Sequence, residues 1–508
     1  MNAKNSRCMS KLRYTSLLCL LLCSLSLAAQ TFVDVSRRSF WQESRNVAGL
    51  RQDSLSVSFA EIYGIYESGD FRNTWDAPRK WSAGASTASV LHFERMSLTG
   101  AFSFDQTEGY DMCGSMFVEP GYFPMDVLEF TPGRKTLQTY AFVGGMAYEL
   151  GSAWVLGARI DFESSNLAKR KDLRYTDWRL DLSVAPSLTY STGDWILGFS
   201  PVFRKVSETI GAQQIGTSES SYYAFLDKGL MYGVRQVWTG SGVHLEEAGV
   251  NGLPLKEYSY GATFQVNRKG LYADIEFIRT AGKAGEKEYI WFEFPGMEMA
   301  ANLRYRLSQG SKGHHFGLKF DWKLQDMDEN VLEKVTVNGI TDVLYHGSNR
   351  IFSREILSLT PSYEFVSRRV EVLASLGLDR FAGLSLQMYP YVNALSETSV
   401  SAHLSGLFRV GAFDLKADIS VMKGFYEEYS RKTGSGEILT EPYRLQDWYD
   451  RQMEYMSALK TGLGLSIRYN FDNGIYLDAS GKWLHGYGLE LLEGKDRFMT
   501  ELTLGYDF

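Results

Sequence analysis

Thr500-Glu501-Leu502-Thr503-Leu504-Gly505-Tyr506-Asp507-Phe508 is the stretch of sequence that decides the fold. Its even positions from 502 onward are Leu, Leu, Tyr and Phe, and its odd positions are polar or small. Alternation with a period of two is typical of a β-strand whose two faces meet different surroundings. One face of this strand is apolar enough to lie against lipid, and the other suits a wet interior. The segment therefore predicts one strand of a membrane β-barrel.

The same alternation recurs along the whole chain. A tilted strand needs about 9–11 residues to cross a bilayer, and the recurring segments are near that length. The segments predicted as strands are 54–66, 81–93, 95–105, 137–150, 152–163, 176–191, 194–207, 257–268, 270–280, 297–309, 313–325, 354–367, 369–379, 397–410, 412–424, 456–470, 474–485 and 496–508. The fold class predicted is all-β, a transmembrane antiparallel up-and-down β-barrel of about 18 strands. A barrel of about 16 strands is the alternative, because the interpretation of 380–396 depends on preserving the alternation of turns and loops.

The lengths of the connections give the orientation of this barrel. Short turns follow the even-numbered segments, and longer stretches follow the odd-numbered ones. Outer-membrane barrels pair short periplasmic turns with long external loops, so both termini of the barrel, 54–508, are expected on the periplasmic side. The longest predicted external loops are 106–136, 208–256, 326–353 and 425–455. A soluble propeller would instead show a repeat of about 40–50 residues, which the sequence lacks.

The composition narrows the class of protein further. The chain has 508 residues, of which 14% are aromatic and 22% are charged. Beyond the N-terminus no apolar run approaches the roughly 20 residues of a membrane helix, which excludes a helical membrane protein. Residues 1–29 combine a basic start, a short apolar core and small residues at the end, and we expect a secretory signal peptide.

Removal of that signal peptide would change the charge and the cysteine content. It would take away four basic and no acidic residues, so the formal net charge would go from −7 to −11. This acidity argues against nucleic acid as a partner. Cys113 would remain as the single cysteine, which excludes a small fold held by intramolecular disulfides.

Two resemblances support the barrel. The last strand, with its terminal aromatic residue, resembles the signal recognised by the barrel-assembly machinery of bacterial outer membranes. That resemblance implies an assembly role for Leu502, Leu504, Tyr506 and Phe508. The short motifs Asn46-Val47-Ala48-Gly49-Leu50 and Gly69-Asp70-Phe71-Arg72 resemble the sequences of a family of uncharacterised outer-membrane β-barrel proteins of the Bacteroidota. This second resemblance implies a location in outer-membrane lipid and a fold, and it carries no activity.

Charged residues of both signs occupy the predicted lumen face. A barrel of 16–18 strands is wide enough for an aqueous channel unless something fills it. Opposite charges on neighbouring strands would either sort solutes through a transverse field or pair into ladders that hold the wall. The candidate lumen charges are Arg159, Asp161, Glu163, Arg179, Asp181, Asp274, Glu276, Arg304, Arg306, Lys319, Asp321 and Lys323.

Two segments are candidates for narrowing the lumen. Residues 30–53 are expected to form a short periplasmic segment, too short for the folded plug of an energised transporter, with Phe32, Phe40 and Trp41 as possible anchors inside the barrel. The loop 106–136 is long, apolar and rich in aromatic residues, and it is the stronger candidate for a constriction. A self-packed external cap is the alternative for this loop.

The other long loops concentrate aromatic residues among charges. Flat rings supply contact area at low entropic cost, so these loops suit sugars, peptides or a partner protein. Mutual packing of the loops explains the rings equally well. The candidate recognition residues are Tyr222, Tyr223, Trp238, Tyr443, Trp448 and Tyr449.

No catalytic residue, metal site or cofactor site is predicted. The sequence has no HExxH, GxSxG or P-loop motif. His403 shares a face with Ser401 and Ser405, but no third member of a catalytic group is identifiable. The predicted function is a passive or partner-gated channel for small polar solutes. The main alternative is a lumen-filled receptor or accessory subunit of an uptake or secretion complex, with a separate transporter or a surface lipoprotein as its partner. An outer-membrane hydrolase is a minor alternative.

Overall fold

The computed structural model describes most of the chain beyond residue 38. The described residues are 39–53, 56–171, 174–213, 222–238, 253–286, 289–309, 312–338, 340–388, 391–429 and 445–508. The predicted signal peptide, 1–29, lies outside them. A 3₁₀ helix, Val47–Gln52, precedes the first strand, and an α-helix, α1, spans Leu445–Ser457. Neither this helix nor any other in the described ranges has the length and apolarity needed to cross a membrane.

Twenty strands are found among the described residues. In chain order, the first ten are β1 (Val57–Ser68), β2 (Arg79–His92), β3 (Met96–Ser115), β4 (Asp126–Glu149), β5 (Trp154–Lys169), β6 (Arg174–Thr192), β7 (Trp195–Gln213), β8 (Tyr222–Asp227), β9 (Gly233–Trp238) and β10 (Leu253–Arg268). The second ten are β11 (Leu271–Glu286), β12 (Tyr289–Gln309), β13 (Lys312–Val337), β14 (Ile340–Val366), β15 (Val370–Met388), β16 (Tyr391–Val410), β17 (Phe413–Tyr429), β18 (Leu459–Asn470), β19 (Ile475–Tyr487) and β20 (Asp496–Asp507).

Eighteen of these strands close into one antiparallel barrel. Each pairs with its neighbours in the chain, except that β7 pairs with β10 across the β8–β9 hairpin. The last strand returns to the first, with Phe59 opposite Asp507 and Ser68 opposite Phe498. The predicted antiparallel barrel of eighteen strands is confirmed, and the alternative of sixteen is wrong. The β8–β9 hairpin is not part of the barrel wall. It pairs with the start of β4, and its residues Ala224 and Leu226 are buried in a cluster with inward-facing residues of the wall.

The two faces of the barrel wall differ as the alternation predicts. On β18 the side chains of Leu463, Leu465 and Ile467 point outward, and Leu465 is 68% exposed. Between them Ser466 points inward and hydrogen-bonds to Asp478 of β19 at 3.0 Å. Apolar side chains exposed on the outside of a closed barrel are stable in lipid and costly in water.

The outward face of β7 shows how thick this apolar band is. Trp195, Leu197, Phe199 and Phe203 are exposed in turn, and the next outward side chain is that of Lys205. The distance from Trp195 to Lys205 along a tilted strand corresponds to a thickness of about 25 Å, the height of the lipid-facing band of outer-membrane barrels. The chain is therefore a protein of the bacterial outer membrane.

The strands extend further than the sequence indicated at the ends of the long loops. Most of 326–353 is expected as loop, but it is a hairpin of β13 and β14 around Asn338, whose φ is +54°, with register shifts after Met327 and Val331. Val335 and Val337 alternate with polar residues up to the dipeptide Asn-Gly at 338–339, a sequence typical of a tight hairpin. Residues 380–396 are also largely strand, in β15 and β16.

A charge on the outward face should cost more than a charge on the inward face. In Leu465→Arg the guanidinium would lie near the middle of the lipid band, which costs about 2–4 kcal/mol. In the neighbouring Ser466→Arg it would face the lumen beside Asp478, and we expect a smaller loss. Urea titration of the barrel folded into lipid vesicles measures both free energies of unfolding. Equal losses in the two variants would contradict this assignment of faces.

Candidate functional site: a partly filled lumen

The lumen is the site where this chain brings polar side chains together. Two segments enter it, residues 39–53 from the end of the barrel that holds the chain termini and residues 116–125 from the opposite end. Both lie against the same part of the wall, from β4 to β7 and from β10 to β14. We refer to these segments as the N-terminal segment and the inner loop.

The middle of the N-terminal segment is fixed by hydrogen bonds to two strands of the wall, β11 and β5. The Ser44 hydroxyl donates to Asp274 at 2.8 Å, and the Arg45 guanidinium donates to Glu276 at 2.6 Å. The Arg159 guanidinium of β5 donates to the Ser44 carbonyl at 3.0 Å. Hydrogen bonds with a charged partner are roughly twice as strong as neutral ones. The segment is therefore held as part of the folded barrel.

The ends of the N-terminal segment are fixed near the periplasmic turns. The Arg51 guanidinium donates to Glu149 at 2.8 Å and to the carbonyl oxygens of Phe93 and Glu94. Arg51 thus joins the turn between β2 and β3 to the end of β4. Asp53 accepts a hydrogen bond from Ser39, and burial raises the pKa of the Asp53 carboxyl. These contacts close the segment on itself at the mouth of the barrel.

Apolar packing also holds the N-terminal segment against the wall. Trp41 is 2% exposed and packs edge-on against Tyr272 of β11, with ring centroids 5.2 Å apart. Phe40 stacks on the other side of Tyr272 at 5.3 Å. Val47 and Leu50 are buried in the same cluster. Of the three anchors expected in 30–53, Phe40 and Trp41 lie inside the barrel, and Phe32 lies outside the described residues.

The inner loop enters from the other end and is bound by buried charged side chains. The Val118 backbone N–H donates to Asp177 and to Glu208, at 2.9 Å in each case. The Arg354 guanidinium donates to the carbonyl oxygens of Gly121 and Tyr122 at 2.7 and 2.6 Å. A buried backbone group without a partner is costly, and here the strands β6, β7 and β14 supply the partners.

Tyr122 is the central side chain of the inner loop. Its hydroxyl donates to Glu257 at 2.6 Å, and the Arg179 guanidinium lies 4.6 Å from its ring centroid. Burial, and next the charge of Glu257, raise the pKa of Tyr122 well above its usual value, so the phenol stays protonated. A neutral phenol is the form that can donate to the carboxylate.

The apolar side chains of the inner loop fill the lumen at this level. Met116, Phe117, Phe123 and Met125 are almost completely buried. They pack against inward-facing apolar residues of the same wall, including Phe294, which lies 6.0 Å from Phe123 between ring centroids. The expected constriction within 106–136 is thus formed by 116–125, and the flanking residues belong to β3 and β4.

The opposite wall, from β15 to β20 and across β1 and β2, carries small inward residues. Among the described residues this wall presents Ser375, Gly377, Ser399, Ser401, Ser405, Ser420, Gly462, Gly464, Ser466, Ser480, Thr503, Ser82 and Ser86. Larger inward side chains lie between them, and the rings of Tyr63 and Tyr476 cover Gly84 and Gly505. Neither inserted segment has a hydrogen bond or salt bridge to these residues in the described part of the chain. At the level of the two inserted segments the lumen is therefore filled on one side, with small polar groups on the other. Nearer the outer mouth the β8–β9 hairpin and helix α1 reach this second wall, where Asn393 donates to the Leu230 carbonyl at 3.0 Å and Leu395 packs with Met231 and Tyr449.

Water reaches the charged side chains between the two inserted segments. Glu43 and Lys319, which pair at 3.6 Å, have side chains 51% and 57% exposed although both lie within the barrel. Glu119 of the inner loop is also exposed, and it pairs with Arg179 at 2.7 Å. The interior at this level is wet, and its charges are arranged in pairs of opposite sign.

The twelve candidate lumen charges divide by what they contact. Arg159, Asp274, Glu276, Arg304 and Lys319 bind residues of the N-terminal segment. Arg179 and Lys323 contact the inner loop, and Lys323 also pairs with Glu298 at 3.0 Å. Asp161, Asp181 and Glu163 pair with arginines of the wall. Arg306 lies 4.6 Å from the ring of Phe40, and Asp321 faces the lumen beside Lys319.

His403 has an acidic neighbour on the next strand. Its Nε2 lies 3.4 Å from Asp418, which also lies 3.6 Å from the Lys416 ammonium. These three side chains face the lumen from the open wall. Within the described ranges no group of three or more His, Cys, Asp or Glu side chains is arranged to hold a metal ion.

The candidate recognition residues differ in where the structure places them. Tyr449 is buried with Met453 and Leu395, and Trp448 packs edge-on against Phe130 at 5.4 Å. Both of these candidate rings, which belong to helix α1, are therefore used in packing. Tyr222, Tyr223 and Trp238 belong to the β8–β9 hairpin, but their side chains are outside what is described, as is all of Tyr443.

The apolar residues of the last strand face the membrane. Leu502, Leu504 and Phe508 are each about half exposed, and Tyr506 stacks on Phe508 at 5.5 Å. The Phe508 backbone pairs with Ser58 in both directions, at 2.8 and 2.9 Å. These residues complete the seam that closes the barrel.

Several of the residues that organise the lumen were not identified from the sequence. Arg45, Arg51 and Arg354 each bind groups far away in the chain, and no spacing in the sequence signals such pairs. The high density of charged residues in 43–53 could have indicated that this segment binds oppositely charged side chains of the barrel. A segment that lies free in the periplasm does not need such partners.

The sequence of the chain shows its family. A family model described as "Family of unknown function (DUF6850)" matches residues 47–508. No curated protein matches the chain in sequence. Among solved structures, the FrpB iron transporter (F3-3 variant) from Neisseria meningitidis is 9% identical, with 90% of this chain and 82% of that chain covered and a TM-score of 0.42.

Two further structures show a similar degree of likeness. BauA, the ferric preacinetobactin receptor from Acinetobacter baumannii, is 6% identical over 90% of this chain and 81% of its own, with a TM-score of 0.39. OccAB2 from Acinetobacter baumannii is 10% identical over 89% of this chain and 98% of its own, with a TM-score of 0.34. Likeness at this level does not extend to what a protein binds or transports.

Loss of one ion pair should loosen the N-terminal segment. Glu276→Gln removes the charge that Arg45 binds, and a hydrogen bond to a charged group contributes about 1.5–3 kcal/mol. We expect the backbone amides of 44–50 to exchange with solvent at least about tenfold faster in the variant, as measured by hydrogen exchange with mass spectrometry. The control is Glu61→Gln, a lumen carboxylate that binds Tyr476 at 2.6 Å. Unchanged exchange in Glu276→Gln would show that the pair does not hold the segment.

Proposed function

We propose that this chain, which belongs to the family of unknown function (DUF6850), is an outer-membrane conduit for small polar solutes. The observation that carries the proposal is the unequal lining of the lumen. Two inserted segments occupy the side from β4 to β14, and neither has a hydrogen bond or salt bridge to the described inward serine and glycine residues of the side from β15 to β2. The solute would pass along the open wall, where small side chains leave room and hydroxyl groups replace its hydration.

The charges along this open wall support a preference for polar solutes of low net charge. Asp379, Lys416 and Lys482 are exposed and face the lumen. Acidic and basic groups therefore line the same route, so a dipolar solute such as a sugar or a zwitterion finds partners of both kinds. A strongly anionic or cationic solute would meet like charges as well as opposite ones.

A receptor function is the second candidate, and a specific contact favours it. The inner loop packs Phe117, Tyr122 and Phe123 into a buried apolar cluster, which blocks the outer half of the lumen on one side. A ligand or a partner that bound the outer surface could displace this loop and change the width of the passage. In that case a separate transporter or a surface lipoprotein would act together with the barrel.

Three further expectations accompany this proposal. The chain would not act as an enzyme, and it would function without a cofactor. It would be inserted by the barrel-assembly machinery, with the outward residues of β20 as the recognised strand. We also infer an origin in the Bacteroidota from the resemblance of residues 46–50 and 69–72.

A bulky residue on the open wall should obstruct the passage. In Ser401→Trp the indole would project into the lumen over Gly377, which lies opposite on β15. Ion conductance of single barrels in a planar bilayer should fall at least about twofold. The matched control is Val400→Trp, whose side chain would point into lipid from the adjacent position. Equal conductance in both variants would contradict a passage along the open wall.

Release of the inner loop should widen the same passage. Arg354→Met removes the donors to Gly121 and Tyr122 while keeping a long side chain, with an expected loss of about 1.5–3 kcal/mol for each hydrogen bond. We expect conductance at least about twofold higher than that of the unaltered protein. Arg350→Met is the control, since Arg350 on the same strand binds Asp326 and Asp328 instead. If protease cleaves the loop in Arg354→Met without any rise in conductance, the loop does not narrow the route.

A further inference from the structure

A group of basic side chains lies on the outside of the barrel, away from the lumen. Lys205 of β7, Lys256 of β10, and Arg279 and Lys283 of β11 project outward from three adjacent strands. Their chain neighbours point inward and are buried, as shown by Val206, Leu255 and Ile278 at 0–2% exposure. We call these four residues the outer basic patch.

The strand register places the four side chains next to one another. Lys256 lies directly opposite Lys283, and Tyr260 lies opposite Arg279. Lys205 lies opposite Tyr258, with its ammonium 5.9 Å from the ring centroid. Like charges directly opposite on paired strands are destabilising, so the Lys256–Lys283 pair calls for a nearby anion.

The protein itself supplies little compensation. None of the four residues has a salt bridge to another described residue. Glu293 of β12 lies opposite Lys283 in register, but the two side chains are not within salt-bridge distance. At the periplasmic end of the same strands the situation differs, because Lys269 pairs with Asp194 at 2.6 Å and Arg268 stacks over Trp195 at 4.5 Å. Basic side chains without a salt bridge to a described residue are thus concentrated at the outer end, where the four residues of the patch lie close together.

The patch lies at the upper boundary of the lipid-facing band. Tyr258 and Tyr260 lie at the level of Lys205 and Arg279, and the next outward residues below these two cations are Phe203 and Phe277, each about half exposed. Aromatic residues form girdles at the level of the lipid headgroups. Basic side chains just beyond such a girdle are at the height where the phosphates of the outer leaflet lie.

We propose that the outer basic patch binds the phosphorylated headgroup of an outer-leaflet lipid. The ammonium and guanidinium groups would bind the phosphate oxygens by charge-assisted hydrogen bonds, and the acyl chains would lie on the rings below. A bound lipid would also relieve the repulsion between Lys256 and Lys283. The apolar rings beneath the charges distinguish a lipid from a free phosphate ion, which would gain nothing from them.

The test compares lipid binding of the folded full-length protein with that of two variants. The protein is placed in phosphatidylcholine nanodiscs that contain either diphosphoryl lipid A or lipid A from which the phosphates have been removed, and retained lipid is counted by native mass spectrometry. The patch variant replaces Lys205, Lys256, Arg279 and Lys283 by Gln. The control variant, Arg380→Gln with Lys423→Gln, removes two outward cations on β15 and β17.

We expect the patch variant to bind diphosphoryl lipid A at least about tenfold more weakly, since each basic residue near a membrane surface contributes about 1 kcal/mol. The control variant should bind diphosphoryl lipid A as tightly as the unaltered protein does. The dephosphorylated lipid should bind equally to the unaltered protein, the patch variant and the control variant. A migration difference on gels before and after boiling verifies that each barrel is folded. Equal retention of diphosphoryl lipid by the patch variant and the unaltered protein would overturn the proposal, as would displacement of the lipid by inorganic phosphate alone.

Discussion

The closure of the sheet is the constraint on which the rest of this structure depends. A strand in lipid has no water to satisfy its backbone N–H and C=O groups, so every strand needs two neighbours. The pairing of β20 with β1 removes the last open edge, and the two strands are paired from Phe59 to Ser68 without a shift in register. Once the wall is closed, the alternation of side chains fixes which residues meet lipid and which meet the lumen.

The inward half of those residues creates a second requirement, because buried charges need partners. Here the chain supplies many of them itself. Asp274 and Glu276 are bound by Ser44 and Arg45, and Glu257 is bound by Tyr122. The partners come from one side of the lumen, and this leaves the small side chains of the opposite wall uncovered. The asymmetry is what makes a narrow polar passage the function that the geometry supports best.

The sequence was sufficient for the architecture, because a two-residue period is a local property. All of the predicted strands have counterparts in the barrel. Within 106–136, for which the sequence left a constriction and an external cap open, residues 116–125 lie against the inner wall. The lengths of β13 and β14 were underestimated, since their alternation continues in residues too polar to indicate a membrane strand. The partners of Arg45 and Arg354 were unpredictable, because they lie 231 and 233 residues away in the chain.

Ionic conductance of the unaltered protein, recorded from single barrels in a planar bilayer, tests the central claim most directly. The account predicts steady openings that are smaller than those of an unobstructed barrel of the same strand number, with little preference between anions and cations. Barrels that are folded, as shown by their migration before boiling, and that pass no current would contradict it. Such silence would mean that the inner loop and the N-terminal segment seal the lumen, and the function would then be that of a receptor.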